Sequence, residues 1–178
     1  MEYIGQRISI LKREDSISVV ILAFKDKLKT RLLFLWLLVW SLAGIIVLVS
    51  YFKIQDENTK IAFIVWLGFW AYFEYKTGYA FFWRISGKEK VRIENGKIVI
   101  KRDIMGKGRF SIYSLDSIKN FRIDETTESN FSKSINDSYW IIGGERIAFD
   151  YFGREIKFGI QLDEKETLEI YKKIKFYV

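Results

Sequence analysis

The chain has 178 residues, a formal net charge of +7 and 49% hydrophobic residues, 17% of the total being aromatic, with no Cys, His or Pro. Without Cys and His there are no disulfides, thiol nucleophiles, imidazole acid-base chemistry or ordinary zinc sites, and the remaining Asp, Glu, Ser, Lys and Tyr show no nucleophile-and-base spacing. A non-enzymatic protein with no cofactor and no metal is expected.

Residues 1–31 hold two β-branched runs, ISIL at 8–11 and ISVVILAF at 17–24, divided by KREDS. They read as a strand hairpin, because Ile8, Ile10, Ile17, Val19 and Val20 favour extended backbone; an amphipathic helix lying on lipid is the alternative. Lys25, Lys27, Lys29 and Arg31 follow as a basic cytoplasmic anchor at head-group level.

Residues 32–52 carry no charge. As an α-helix such a stretch rises about 31 Å, close to the thickness of bilayer hydrocarbon. Residues 61–83 are similarly long and apolar but contain Glu74 and Lys76, and the polar segment 53–60 between them is too short to be a domain. The expectation is a transmembrane helical hairpin over 32–83, its helices at 32–52 and 61–83. Lys and Arg number seven in residues 1–31, two in 53–60 and nineteen in 84–178. By the positive-inside rule both termini of a multi-pass protein then face the cytoplasm. No cleavable signal is expected, since the first apolar run begins after thirty residues and lacks a small-residue cleavage site. Ser41, Gly44, Gly68, Ala71 and Gly78 are small enough to let two helices approach. An ionised group deep in a bilayer costs a few kcal/mol at about its centre, which makes Glu74 and Lys76 candidates for an intramembrane polar contact.

From residue 84 the apolar period becomes two. Val91 and Ile93 alternate with Lys90, Arg92 and Glu94, and Asn95-Gly96 is a hairpin turn signal before KIVIKRDI. GRFSIYSL and DSIKNFRID continue an antiparallel meander, residues 125–137 read as a polar loop, and SYWII, ERIAFDYF and EIKFGIQ are further strands, about seven in all. Phe149 and Phe158 alternate inward and Lys157 outward. A helix over 163–175 is capped by Asp163 with Glu166, presents Leu168, Tyr171 and Ile174 on one face, and should cover an open end of the sheet.

Gly87-Lys88-Glu89, Gly106-Lys107-Gly108-Arg109 with Tyr113 and Leu115, Ser117-Ile118-Lys119-Asn120, Ile147-Ala148-Phe149-Asp150-Tyr151, Lys157-Phe158-Gly159-Ile160 and Leu162-Asp163-Glu164 together resemble bacterial two-helix membrane proteins with a C-terminal pleckstrin-homology-like domain. The resemblance implies a membrane-anchored α+β protein: an N-terminal strand hairpin at 1–31, the helical hairpin at 32–83, and an antiparallel pleckstrin-homology-like barrel or sandwich at 84–178 ending in the amphipathic helix. Such hairpins generally lack counterparts of Glu74 and Lys76. Lys101, Arg102, Lys107 and Arg109 flank one turn, similar in position to the turn where eukaryotic pleckstrin-homology domains hold phosphoinositide head groups, and are the candidate anionic-lipid contact. Nucleic acid is not expected as a partner, because nineteen basic residues in 84–178 face fifteen acidic ones without clustering. The expected role is an interaction module on the cytoplasmic face of a bacterial inner membrane, its partners the lipid bilayer and a protein or second copy. The alternative is an accessory subunit of a transport or envelope complex, contacted through the hairpin.

Overall fold

The computed structural model describes residues 1–124 and 144–178. The expected loop at 125–137 and strand at 138–142 lie outside the described residues.

Three strands open the chain, β1 (Glu2–Ile4), β2 (Ile8–Arg13) and β3 (Ser16–Leu22), and two long helices follow, α1 (Lys27–Tyr51) and α2 (Glu57–Ser86). Each helix starts where an aspartate accepts a backbone N–H three residues on: Asp26 from Lys29 at 3.0 Å and Asp56 from Thr59 at 2.8 Å. α2 ends at Gly87, where a Cβ would overlap Trp83, and the extended backbone there leads directly into β4 (Gly87–Glu94). The remaining strands are β5 (Lys97–Ile104), β6 (Phe110–Ser114), β7 (Ile118–Ile123), β8 (Glu145–Tyr151) and β9 (Arg154–Ile160), and the chain closes with α3 (Glu164–Lys175). Asn95 and Gly96, at φ 51° and 68°, make the tight β4–β5 turn whose backbone twist matches that of its strands.

Among the described residues the strands form two antiparallel sheets, one in the order β1-β2-β3-β4-β5-β6 and one in the order β7-β8-β9. The meander expected after residue 84 is broken between its third and fourth strands. A 3-10 turn at Leu115–Ser117 carries β7 into the second sheet, so β6 and β7 do not pair. β3, which precedes both helices, pairs along its whole length with β4, which follows them, with Ile17 opposite Ile93 and Val19 opposite Val91. The connections explain this: the four residues 23–26 join β3 to α1 and none intervene between α2 and β4, so helices packed side by side deliver the two strands side by side. Ala23 N–H, donating to Gly87 O at 3.0 Å, extends the ladder to the helix ends.

The larger of two buried apolar clusters among the described residues lies between the sheets and under α3, and the smaller, Ala23, Trp83 and Ile160, lies where the helices meet the strands. Ile10, Val19, Val91 and Ile98 from the first sheet meet Ile147, Phe149 and Phe158 from the second and Ile170 and Ile174 from α3, all at most 1% exposed. The capping box of Asp163 and Glu166 is present. The face that α3 buries is Thr167, Ile170 and Ile174 with Tyr171 partly covered, whereas Leu168 is 44% exposed. Tyr171 stacks on Phe121 of β7 at 5.1 Å, which fixes the rotation of the helix and turns Leu168 outward.

α1 is the one helix among the described residues long and apolar enough to cross a membrane. α2 is longer, but its charged ends, Glu74 and Lys76 lower its apolar content. The helices contact each other in opposite order along their lengths, Phe34 with Phe81 and Trp40 with Trp70. Their outer faces expose Leu35, Leu38, Val39, Ile45 and Ile46 on α1 and Ile61, Ile64, Val65 and Phe69 on α2. Of the small residues, Gly44 is the one whose contact is decisive, because a Cβ there would overlap the Trp70 indole; around Gly68 and Gly78 there is open space.

Candidate functional site

Strand alternation sends Glu89 inward with Val91 and Ile93. It is fully buried in the seam between the sheets. Its Oε2 accepts N–H groups from Gly159 at 2.7 Å and Ile160 at 3.0 Å, and its Oε1 accepts Arg102 Nε at 3.3 Å from the opposite position on β5. Arg102 Nη2 also donates to Glu145 Oε1 at 2.8 Å and to Lys157 O at 3.3 Å, so one guanidinium ties β4 and β5 to β8 and β9. Burial pushes the Glu89 carboxyl up from its ordinary range, against the pull of Arg102 and the two N–H donors. Burial pulls Arg102 down, but Glu89 and Glu145 outweigh it and hold the guanidinium above its usual value.

Beside this seam a cleft of about 1570 Å³ opens between α2 and the β5–β6 turn. Glu74, Tyr75, Tyr79 and Phe82 form its helical wall, and the facing wall carries Arg102 on β5, Lys107 and Arg109 on the turn, and Glu155 and Lys157 on β9. Three of the four expected lipid-contact residues, Arg102, Lys107 and Arg109, thus share one cavity with Glu74 of the expected intramembrane pair. Lys107 and Arg109 are exposed, and among the described residues their side chains have no hydrogen-bond or ion-pair partner. Met105 and Phe110, which flank them, are 62% and 64% exposed.

Two of the sequence candidates stand apart. Lys101 alternates to the other face of β5, where it lies 3.7 Å from the buried Asp103, itself held by Lys90 at 3.0 Å. Lys76 points off α2 over the Tyr72 ring, 5.8 Å from its centre. Glu74 is partly buried and accepts Ser41 Oγ from α1 at 2.7 Å, while its Oε2 is buried with no hydrogen-bond partner among the described residues.

No protein-family model, curated protein or solved structure matches the chain.

Sequence reasoning missed Glu89, Glu155 and Lys157. Glu89 was legible, because extending the Val91/Ile93 alternation by two residues places it inward. Lys157 is no idle outward residue: its ammonium lies 2.5 Å from Asp124 and 3.0 Å from Glu155, and the Asp124 hydrogen bond holds its pKa above the ordinary range. That role depends on β7 lying beside β8, which period-two alternation does not encode. Among the described residues no cluster of three or more Asp or Glu is placed to hold a metal ion. Exposed cations lining a cleft with an aromatic wall suit an anionic group attached to an apolar body.

Proposed function

We propose that this protein is a non-enzymatic interaction module anchored by α1 and α2 at the cytoplasmic face of a bacterial inner membrane, both termini cytoplasmic, with a pleckstrin-homology-like sandwich that engages anionic lipid through the β5–β6 turn. The observation that carries this reading is the pairing of Lys107 and Arg109, without side-chain partners among the described residues, with exposed Met105 and Phe110 on one turn beside α2. Apolar tips enter the acyl boundary while cations meet phosphates, and each cation near an anionic surface contributes about 1 kcal/mol. Two antiparallel sheets followed by a helix agree with the pleckstrin-homology-like architecture. The chain has no cysteine, so a single Met105→Cys label reports the turn alone. A spin label there should be shielded from aqueous quencher in vesicles containing phosphatidylglycerol and exposed in phosphatidylcholine vesicles, and Lys107→Gln with Arg109→Gln should erase the difference. Equal accessibility in both lipids rejects lipid engagement by the turn.

The buried Oε2 of Glu74, without a hydrogen-bond partner among the described residues, supports a second reading, an accessory subunit whose partner or second copy donates to that oxygen. On that reading Glu74→Leu weakens co-purification and Glu74→Gln preserves it; normal assembly of Glu74→Leu on native gels rejects it.

A further inference from the structure

A second cleft, about 490 Å³, lies where α1 begins and α2 ends. Lys25, Lys27 and Arg31 line it and are exposed, and Arg84, 5% exposed, reaches it from α2. The single carboxylate among the lining residues, Asp26, accepts the Lys29 N–H at 3.0 Å and caps α1, so the exposed cations Lys25, Lys27 and Arg31 outnumber it. One side is apolar: Phe34 and Phe81 meet with ring centres 5.8 Å apart, and Ile85 also lines it. Lys25, Lys27 and Arg31 have no side-chain ion pair or hydrogen bond among the described residues. A generic basic anchor needs charge near the surface and nothing more. This cleft adds an apolar side contributed by both helices and a position at the level where α1 would leave the bilayer.

We infer that this cleft binds one anionic glycerophospholipid, its phosphate on Lys25, Lys27 and Arg31 and the start of its acyl chains against Phe34, Phe81 and Ile85. The inference rests on α1 crossing the membrane, but not on the β5–β6 turn touching it. Basic pockets between membrane helices on the cytoplasmic side hold acidic head groups by this combination of charge and shape. The lipid would bridge α1 and α2 where both feed into the sheet, so its binding should also stiffen the junction between the membrane part and the strands.

Native mass spectrometry of the full chain released from mixed nanodiscs tests this, with phosphatidylglycerol and phosphatidylcholine as probes. The parent should retain phosphatidylglycerol about tenfold over phosphatidylcholine, as expected for cations acting together at an anionic surface. Lys25→Gln, Lys27→Gln and Arg31→Gln combined should bring the two lipids to parity. Because removing three anchoring cations can disturb insertion, Ile85→Trp serves as the second variant: it fills the cleft and keeps every charge, and it too should lose the preference. Lys107→Gln with Arg109→Gln should retain it, which separates this site from the turn. Excess soluble glycerol 3-phosphate should not displace the lipid, and displacement would mean that phosphate alone is bound. Full preference in Ile85→Trp, or no preference in the parent, overturns the inference while leaving the Met105 label experiment to decide the turn by itself.

Discussion

Trp40 and Trp70 exchange hydrogen bonds across the helix pair: Trp70 Nε1 donates to the Trp40 carbonyl at 2.9 Å and Trp40 Nε1 to the Trp70 carbonyl at 3.4 Å. A part-buried indole N–H takes a protein acceptor where it can, and here each tryptophan finds it on the other helix. Gly44 leaves the space in which the Trp70 ring sits. Gly44→Leu should therefore force the helices apart at a cost of about 1–3 kcal/mol. Gly68→Ala and Gly78→Ala, which meet nothing, should be close to neutral. Thermal unfolding of the detergent-solubilised protein checks the contrast, and equal losses at all three positions would refute the packing.

The seam between the sheets makes an unequal demand on its two charges. Arg102→Ala leaves Glu89 buried without its counter-ion, whereas the Arg102 side chain is 40% exposed and can turn to water when Glu89 is removed. Breaking such a pair costs about 3–5 kcal/mol from the buried side. Glu89→Leu also strips the Gly159 and Ile160 N–H groups of their acceptor, at about 1–3 kcal/mol each, so neither substitution is mild. Both should make the sheets sensitive to proteolysis, and Arg102→Lys, which offers no fork, should rescue only partly.

Asp103 supplies a pH-dependent contribution. The hydrogen bond from Lys90 holds its carboxyl below the ordinary aspartate range. A lowered folded-state pKa means that the stabilisation is complete above the unfolded value and is lost as pH falls through the folded one. Asp103→Asn should thus melt below the parent at neutral pH, and the two curves should converge in acid below the ordinary aspartate range. A constant offset across pH would show that the contribution is packing and not charge. Glu89 works in the opposite sense: its carboxyl is raised, so acid relieves the cost of ionising it.

Phe149 and Phe158 are both fully buried, with ring centres 6.3 Å apart. Either change to Ala should cost about 3–5 kcal/mol. Leu168→Ala, on the outward face of α3, should cost little, while Ile170→Ala should cost about 2–5 kcal/mol. Similar losses at 168 and 170 would mean that α3 is rotated.

Orientation is tested with single cysteines in this cysteine-free chain. Gln55→Cys, in the exposed connection between α1 and α2, should react with an impermeant maleimide outside intact spheroplasts, and Glu14→Cys, in the β2–β3 turn, should react only after lysis. The reverse pattern would invert the protein in the membrane.

What the sequence determined alone were properties set by neighbours along the chain. The β4–β5 hairpin follows from Asn95-Gly96 between alternating residues, the start of α3 from Asp163 with Glu166, and the apolar length of α1 from its uncharged run. The inward positions of Phe149 and Phe158 follow from period two. Pairing between segments far apart in sequence was decided by tertiary structure. Nothing in residues 16–22 specifies that they join residues 87–94, because strand edges are chemically alike; the packing of α1 on α2 brings those two edges together. The same packing set Glu74 against Ser41 and gathered Arg102, Lys107 and Arg109 into the cleft that Glu74 lines. Lys101 was left on the far side of β5, since neighbouring residues on a strand face opposite ways and the sheet had already chosen which way was in.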